Sequence, residues 1–225
     1  MKKIGFIGAF EKTDLITYTG RILTEVGNKV LIIDTTLQQK ARYIVPAIAP
    51  TKSYVTEYED MDVAVGFDSE EALKRYMGDI ENEFDYILID VDEYEKFDSF
   101  DLQNAEKLYF VTAFDNYSLK RGIETIGKMR EKVKMKKILF EREITEENDE
   151  YLNLLTLTYP IEWEEEKIHF PYDQGDLTII MENQRVSKIK IKNLSEEYRM
   201  GLYMLVQEIA PEIKAGDLRK AFKNI

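Results

Sequence analysis

Short, nearly continuous runs of apolar, β-branched residues recur along this chain with helix-period segments between them. No other feature constrains the fold as strongly. Lys3 to Ile7, Lys29 to Ile33 ("KVLII"), a weaker Asp62 to Val65, Tyr86 to Ile89 ("YILI"), Leu108 to Thr112 ("LYFVT") and Lys137 to Phe140 ("KILF") read as strands. Runs with so little polar alternation suit a parallel sheet buried on both faces. Leu15 to Val26 places Leu15, Thr19, Ile22 and Val26 on one helical face and stops at Gly27, a residue suited to ending a helix. Ser69 to Ile80 opens on Ser-Glu-Glu, and Ser118 to Val133 and Ser195 to Ile209 also carry helical patterns. The expectation is one α/β domain over residues 1–225, a doubly wound, mostly parallel sheet with helices on both faces, P-loop NTPase-like, binding ligands at the carboxyl ends of its strands.

Composition removes several function classes. With no cysteine and one histidine, His169, the chain cannot build disulfides, thiolate zinc sites or Cys nucleophiles, and imidazole-based metal clusters and Ser-His-Asp triads are not expected. No apolar stretch approaches the ~20 residues that span a bilayer, and Met-Lys-Lys with its short apolar run is too brief for a signal peptide. The expected location is cytoplasmic. A formal charge of −12 argues against general affinity for nucleic acid. Charge is nonetheless sorted: Tyr117 to Lys137 has eight Lys/Arg against two Glu, and Glu141 to Glu166 has ten Asp/Glu against one Arg. Solvated helix faces and a charged partner or self-complementary surface both remain open for these segments.

In order and spacing, several segments resemble the MinD/ParA family of deviant Walker A P-loop ATPases. Lys12-Thr13 is similar to the Lys-Thr of its phosphate loop, "NKVLIID" (Asn28 to Asp34) to its second strand, and "FDYILID" (Phe84 to Asp90) to its Walker B-like strand. "AEKLYFVTAFDNYSLKRG" (Ala105 to Gly122) and "FPYDQGDLTIIMENQRV" (Phe170 to Val186) resemble later family segments. The resemblance implies an ATP-dependent dimer that sandwiches nucleotide and positions cellular machinery. The nucleotide-site positions it marks are Gly8, Lys12, Thr13, Asp34 and Asp90.

The loop itself departs from that pattern. In G-x-x-x-x-G-K-[ST], backbone N–H groups form a nest for phosphate oxygens, Lys neutralises them and Ser/Thr holds Mg²⁺. Here only Ala9, Phe10 and Glu11 separate Gly8 from Lys12, two residues too few, and the family's signature lysine has no counterpart. Glu11 also brings a carboxylate where an anion would bind; two unit charges ~4 Å apart interact by ~4 kcal/mol at an effective dielectric of 20. Thr36 stands where the family has its second aspartate, and Val91-Asp92-Glu93 replaces the Pro/Gly-rich switch after Asp90. The Asn commonly following the sixth strand is not visible in "LFEREI". For Lys12 a solvated loop cation, and for Asp34 and Asp90 strand-end caps, remain alternatives to a ligand role.

The expected function is therefore a pseudo-ATPase without catalytic or metal-ligating residues: a scaffold or positioning factor for a pilus, secretion, division or segregation apparatus. The alternative is a weak or atypical ATPase using ATP and Mg. Protein partners and a homodimer or monomer independent of nucleotide are expected. "EWEEEKIHF" (Glu162 to Phe170) reads as a charged strand or loop, and Trp163, the tyrosines and His169 as structural. In the tail, residues 215–225, Leu218, Ala221, Phe222 and Ile225 share one helical face beside Arg219, Lys220 and Lys223. A terminal helix packed on its own domain and an amphipathic helix making transient membrane contact, which would place the protein peripherally, are the two readings of it.

Overall fold

A computed structural model describes residues 1–46, 51–78 and 80–225. In chain order its elements are β1 (Lys2–Ile7), α1 (Thr13–Glu25), β2 (Val30–Asp34), α2 (Ala41–Ile44), β3 (Tyr54–Tyr58), β4 (Met61–Val65), α3 (Glu70–Met77) and α4 (Ile80–Glu83). There follow β5 (Tyr86–Val91), α5 (Tyr94–Ser99), β6 (Lys107–Ala113), α6 (Asn116–Ile126), β7 (Val133–Glu141) and α7 (Glu146–Leu155). The chain closes with β8 (Ile161–Pro171), α8 (Gln174–Arg185), α9 (Glu196–Ile209) and α10 (Ala215–Asn224).

The strands form one sheet in the order β3-β4-β2-β5-β1-β6-β7-β8, parallel except for β3. The expected doubly wound α/β architecture is therefore present. One core cluster joins α1, α8, α9 and α10 to one face of the sheet, and a second joins α3, α5, α6 and α7 to the other. The chain passes from β5 across β1 to β6, so the carboxyl ends of these central strands meet at a switch point. Register places Asp34 beside Asp90 and Ile7 beside Val91, which aligns the strand ends that carry the marked residues.

Local chemistry sets several boundaries. Gly27, at φ +95°, ends α1 with Asn28 N–H donating to Leu23 O at 3.1 Å and Gly27 N–H to Thr24 O at 2.9 Å. Ser69 accepts from Ala72 N–H and starts α3, which ends at Met77 before Gly78 at φ +95°, short of the Ile80 expected; position 79 lies outside the described residues. Ser195 caps α9 by accepting from Tyr198 N–H.

The reading of Ser118 to Val133 needs correction, and one strand, β3, was not anticipated. The helix read over Ser118 to Val133 runs over Asn116–Ile126, capped by Asp115, and Val133 begins β7 four residues ahead of the expected strand. Val133 and Met135 are buried while Lys134 between them is exposed, the alternation of a strand; clustered lysines obscured it. β3 carries no strong apolar signal, and the turn joining it to β4 holds Glu59 and Asp60 at φ +50° and +64°, residues that do not advertise such a hairpin turn.

The oppositely charged segments meet each other inside the chain. β7 lies beside β8 and under α7, where Lys136 reaches Glu164 at 3.3 Å and Lys137 reaches Asp149 at 2.6 Å. His169 Nδ1 lies 2.8 Å from Glu141, and Trp163 Nε1 donates to Thr156 Oγ1 at 3.0 Å. α10 is bedded on the domain: Leu218, Ala221 and Ile225 are buried, Phe222 packs on Tyr203, and Ile225 O accepts from Lys192 N–H at 3.0 Å. Among the described residues, no helix is long and apolar enough to cross a membrane.

Candidate functional site

The chain emerging from β1 turns sharply at Gly8. Its φ is +141°, and a Cβ there would stand 2.2 Å from Val111 O, so only glycine fits this close approach. Gly8 thus has a structural duty beside its place in the loop. Its carbonyl faces back and accepts from Lys12 Nζ at 2.6 Å.

That contact fixes Lys12. Its ammonium also lies 2.6 Å from Asp90 Oδ1 at the end of β5, and both residues are 3% exposed. Lys12 is therefore not a solvated loop cation; at the floor of the strand-end cleft it ties the end of β1 to the end of β5. Burial pushes Asp90 up to about 7, opposed by Lys12 and reinforced by neighbouring Asp34.

Glu11 occupies the entrance to α1. Its Oε1 accepts from Thr13 N–H at 2.9 Å, so a carboxylate sits on one of the free backbone donors of a helix N-terminus, the type of group to which phosphate binds. Its other oxygen pairs with Lys40, from the loop between β2 and α2. Burial pushes the Glu11 carboxyl up, but the hydrogen bonds from Lys40 and Thr13 prevail and hold it below its usual value. Phe10 turns away and packs on Phe140 and Tyr172, at centroid distances of 4.6 and 5.8 Å.

Asp34 is committed to backbone and to a neighbouring hydroxyl. Oδ1 accepts from Thr36 N–H at 3.0 Å and Thr36 Oγ1 at 2.6 Å, and Oδ2 from Ala41 N–H at 3.0 Å. It shapes the β2–α2 loop and starts α2. Asp92 accepts from Leu37 N–H at 3.2 Å, and burial raises its carboxyl above the ordinary range. Thr35 Oγ1 donates to Asp90 O at 2.6 Å, closing the loop against β5.

What remains is a cleft of about 390 Å³ lined by residues 8–13, Thr36, Leu37, Gln38, Lys40, Asp90, Asp92 and Tyr117. The fold brings Gly8, Lys12, Thr13 and Asp90 into this cleft and places Asp34 beneath it. Sequence reasoning overlooked Lys40, which sits in "TLQQK" without a motif to mark it. It also overlooked Asp14, which burial pushes up to about 7 despite the hydrogen bond from Gln184 at 2.8 Å. An acidic residue on the first turn of a core helix was the only signal for the latter.

A doubly wound α/β domain with a strand–turn–helix phosphate-loop position at its switch point defines a P-loop-type architecture. More specifically, the chain has the MinD/ParA fold. It is similar to MinD, a cell division protein of Aquifex aeolicus, at TM-score 0.59 and 16% identity over 95% of this chain and 98% of that one. It also resembles a putative plasmid partition protein of Borrelia burgdorferi bound to AMPPNP, at TM-score 0.56 and 14% identity over 94% and 98% of the two chains. A complex of Cyanothece McdA with ATP matches at TM-score 0.54 and 14% identity over 95% and 97%. At such identities the likeness establishes the fold. No protein-family model and no curated protein matches the sequence.

Proposed function

We propose that this chain is a non-catalytic MinD/ParA-like positioning protein, a scaffold within a larger bacterial assembly such as a pilus, secretion, division or segregation apparatus. The carrying observation is that Glu11 places its own carboxylate on Thr13 N–H, while Lys12 is spent on Gly8 O and Asp90. As arranged, these residues do not fit a triphosphate. An incoming phosphate would meet Glu11 as a like charge and would have to draw Lys12 from a buried ion pair. Three hydrogen bonds already engage the Asp34 carboxylate, from Thr36 N–H, Thr36 Oγ1 and Ala41 N–H, so recruiting it to Mg²⁺ would compete with the β2–α2 loop.

In this reading the protein works by presenting surfaces to protein partners, as a monomer or a homodimer that forms without nucleotide. Exposed Leu37 and Tyr117 at the cleft mouth suit such a contact. Membrane contact through residues 215–225 would require α10 to leave its bed. A second reading, weak ATP binding helped by a partner, is favoured by the surviving cleft and by Glu11 being partly exposed, free to swing out if Lys40 releases it. Phosphate release and light scattering with and without Mg-ATP separate the two. The proposal expects no release above background and an unchanged mass; steady release abolished in Lys12→Ala, or an ATP-driven switch from monomer to dimer, would overturn it.

A further inference from the structure

Helix α7 has its inner side fully engaged. Leu152 is buried, Asp149 binds Lys137 and Lys167, Asn153 accepts from Lys137, and Thr156, just past its end, accepts from Trp163. Its outer side carries Glu147, Glu150, Tyr151 and Leu154, spaced i, i+3, i+4 and i+7, a single stripe. Tyr151 is 49% exposed and Leu154 68%, and Ile144 just before the helix and Leu157 just after it are also open to solvent. A helix on the surface of a lone domain turns polar residues outward. This one also turns out Tyr151 and Leu154 among its glutamates.

The charge around them is mostly negative. Among the described residues, Glu143, Glu147 and Glu150 make no ion pair or side-chain hydrogen bond, although nearby Glu146 and Asp149 are both bound by Lys167. Arg142, likewise without an ion pair among the described residues, stands beside them. Exposed apolar side chains interleaved with free carboxylates on one helix face suit a partner that is itself apolar and basic. An anionic membrane or a nucleic acid would be repelled by it.

We propose that the outer face of α7 docks a lysine- or arginine-rich amphipathic helix of a partner protein. The partner's apolar residues lie on Tyr151, Leu154 and Leu157, and its cations on Glu143, Glu147 and Glu150. The face spans about 15 Å, long enough for two to three turns of a partner helix. The proposal does not depend on the state of the phosphate-loop cleft, so nucleotide should leave the binding unchanged.

The test uses a fluorescein-labelled, 14-residue amphipathic peptide of leucine and lysine, titrated with the full chain and followed by anisotropy at low and moderate salt. Saturable binding that weakens with salt is expected, with affinity lost at least 10-fold in Glu147→Lys/Glu150→Lys and in Tyr151→Ser/Leu154→Ser. Glu131→Lys/Glu182→Lys changes the net charge equally at other exposed sites and should retain binding within 2-fold. Circular dichroism and unfolding midpoints establish that each variant is folded. Equal weakening by the two charge-reversal pairs would reduce the effect to bulk charge and overturn the proposal. So would a doubled mass by light scattering that Leu154→Ser returns to monomer, which would make the stripe a contact between copies of this chain.

Discussion

Replacing Lys12 by methionine keeps most of the side-chain stem and removes the charge. In a working phosphate loop that lysine serves the ligand, so its loss should spare the empty protein. Here it is buried against Asp90 Oδ1, an atom with no other partner among the described residues, and bound to Gly8 O. The cost has two parts. A buried, charge-assisted hydrogen bond is worth about 1.5–3 kcal/mol. With burial pushing Asp90 up to about 7, keeping it ionised at pH 8 without Lys12 adds a further cost on the order of 1 kcal/mol. The sum, about 3–4 kcal/mol, lies near the lower end of what breaking a buried pair costs. Because burial raises the Asp90 carboxyl, it should take up a proton in the native protein by pH 5, so the second part falls away and the loss should shrink by on the order of 1 kcal/mol. Urea unfolding of wild type, Lys12→Met, Asp90→Asn and the double variant at both pH values measures each part, and the double variant should be less damaged than the sum of the singles. A Lys12→Met loss below about 0.5 kcal/mol at pH 8, the range of surface substitutions, would refute the reasoning.

Asp14 gives the clearest pH dependence. Because burial raises its carboxyl to about 7, the native state keeps a proton that the unfolded chain releases near pH 4, and stability falls as pH rises through that window; Asp14→Asn should gain roughly 1–3 kcal/mol at pH 8 and flatten the slope, and an unchanged slope in urea melts would contradict this. Gly8→Ala combines an unfavourable φ with a 2.2 Å approach to Val111 O and should lose about 3 kcal/mol or more, or fail to accumulate as soluble protein; a wild-type melting temperature would exclude the close approach. Deleting residues 215–225 strips buried Leu218, Ala221 and Ile225 from the core and should cost at least about 2–5 kcal/mol, where a detachable tail would leave the melting temperature unchanged.

The central strands were legible because they are buried on both faces, so Ile4, Leu31 and Leu88 mark them without ambiguity. β7 was harder, since buried Lys136 and Lys137 depend on carboxylates from β8, α7 and α9, which lie far along the chain. The missing glycines of the phosphate loop could be read directly, and so could the conflict that Glu11 poses. Where Glu11 and Lys12 go instead could not, because it depends on Lys40, Thr13 and Asp90, which converge only once β1, β2 and β5 are aligned. The tail's amphipathic pattern fitted two outcomes, as the same apolar face serves a core or a membrane; its bed against α1 and α9 is a tertiary fact.

The central claim is that the chain fills its own phosphate site. Thermal unfolding of the wild-type protein across a Mg-ATP titration into the millimolar range tests it most directly. A ligand at 100 times its dissociation constant stabilises the fold by about 2.7 kcal/mol, roughly 5–10 °C for a domain of this size. The account predicts a flat melting temperature for wild type and no difference between ATP and no nucleotide. A saturable rise of several degrees with Mg-ATP, absent with Mg²⁺ alone, would show that Glu11 and Lys12 yield to phosphate and would contradict it.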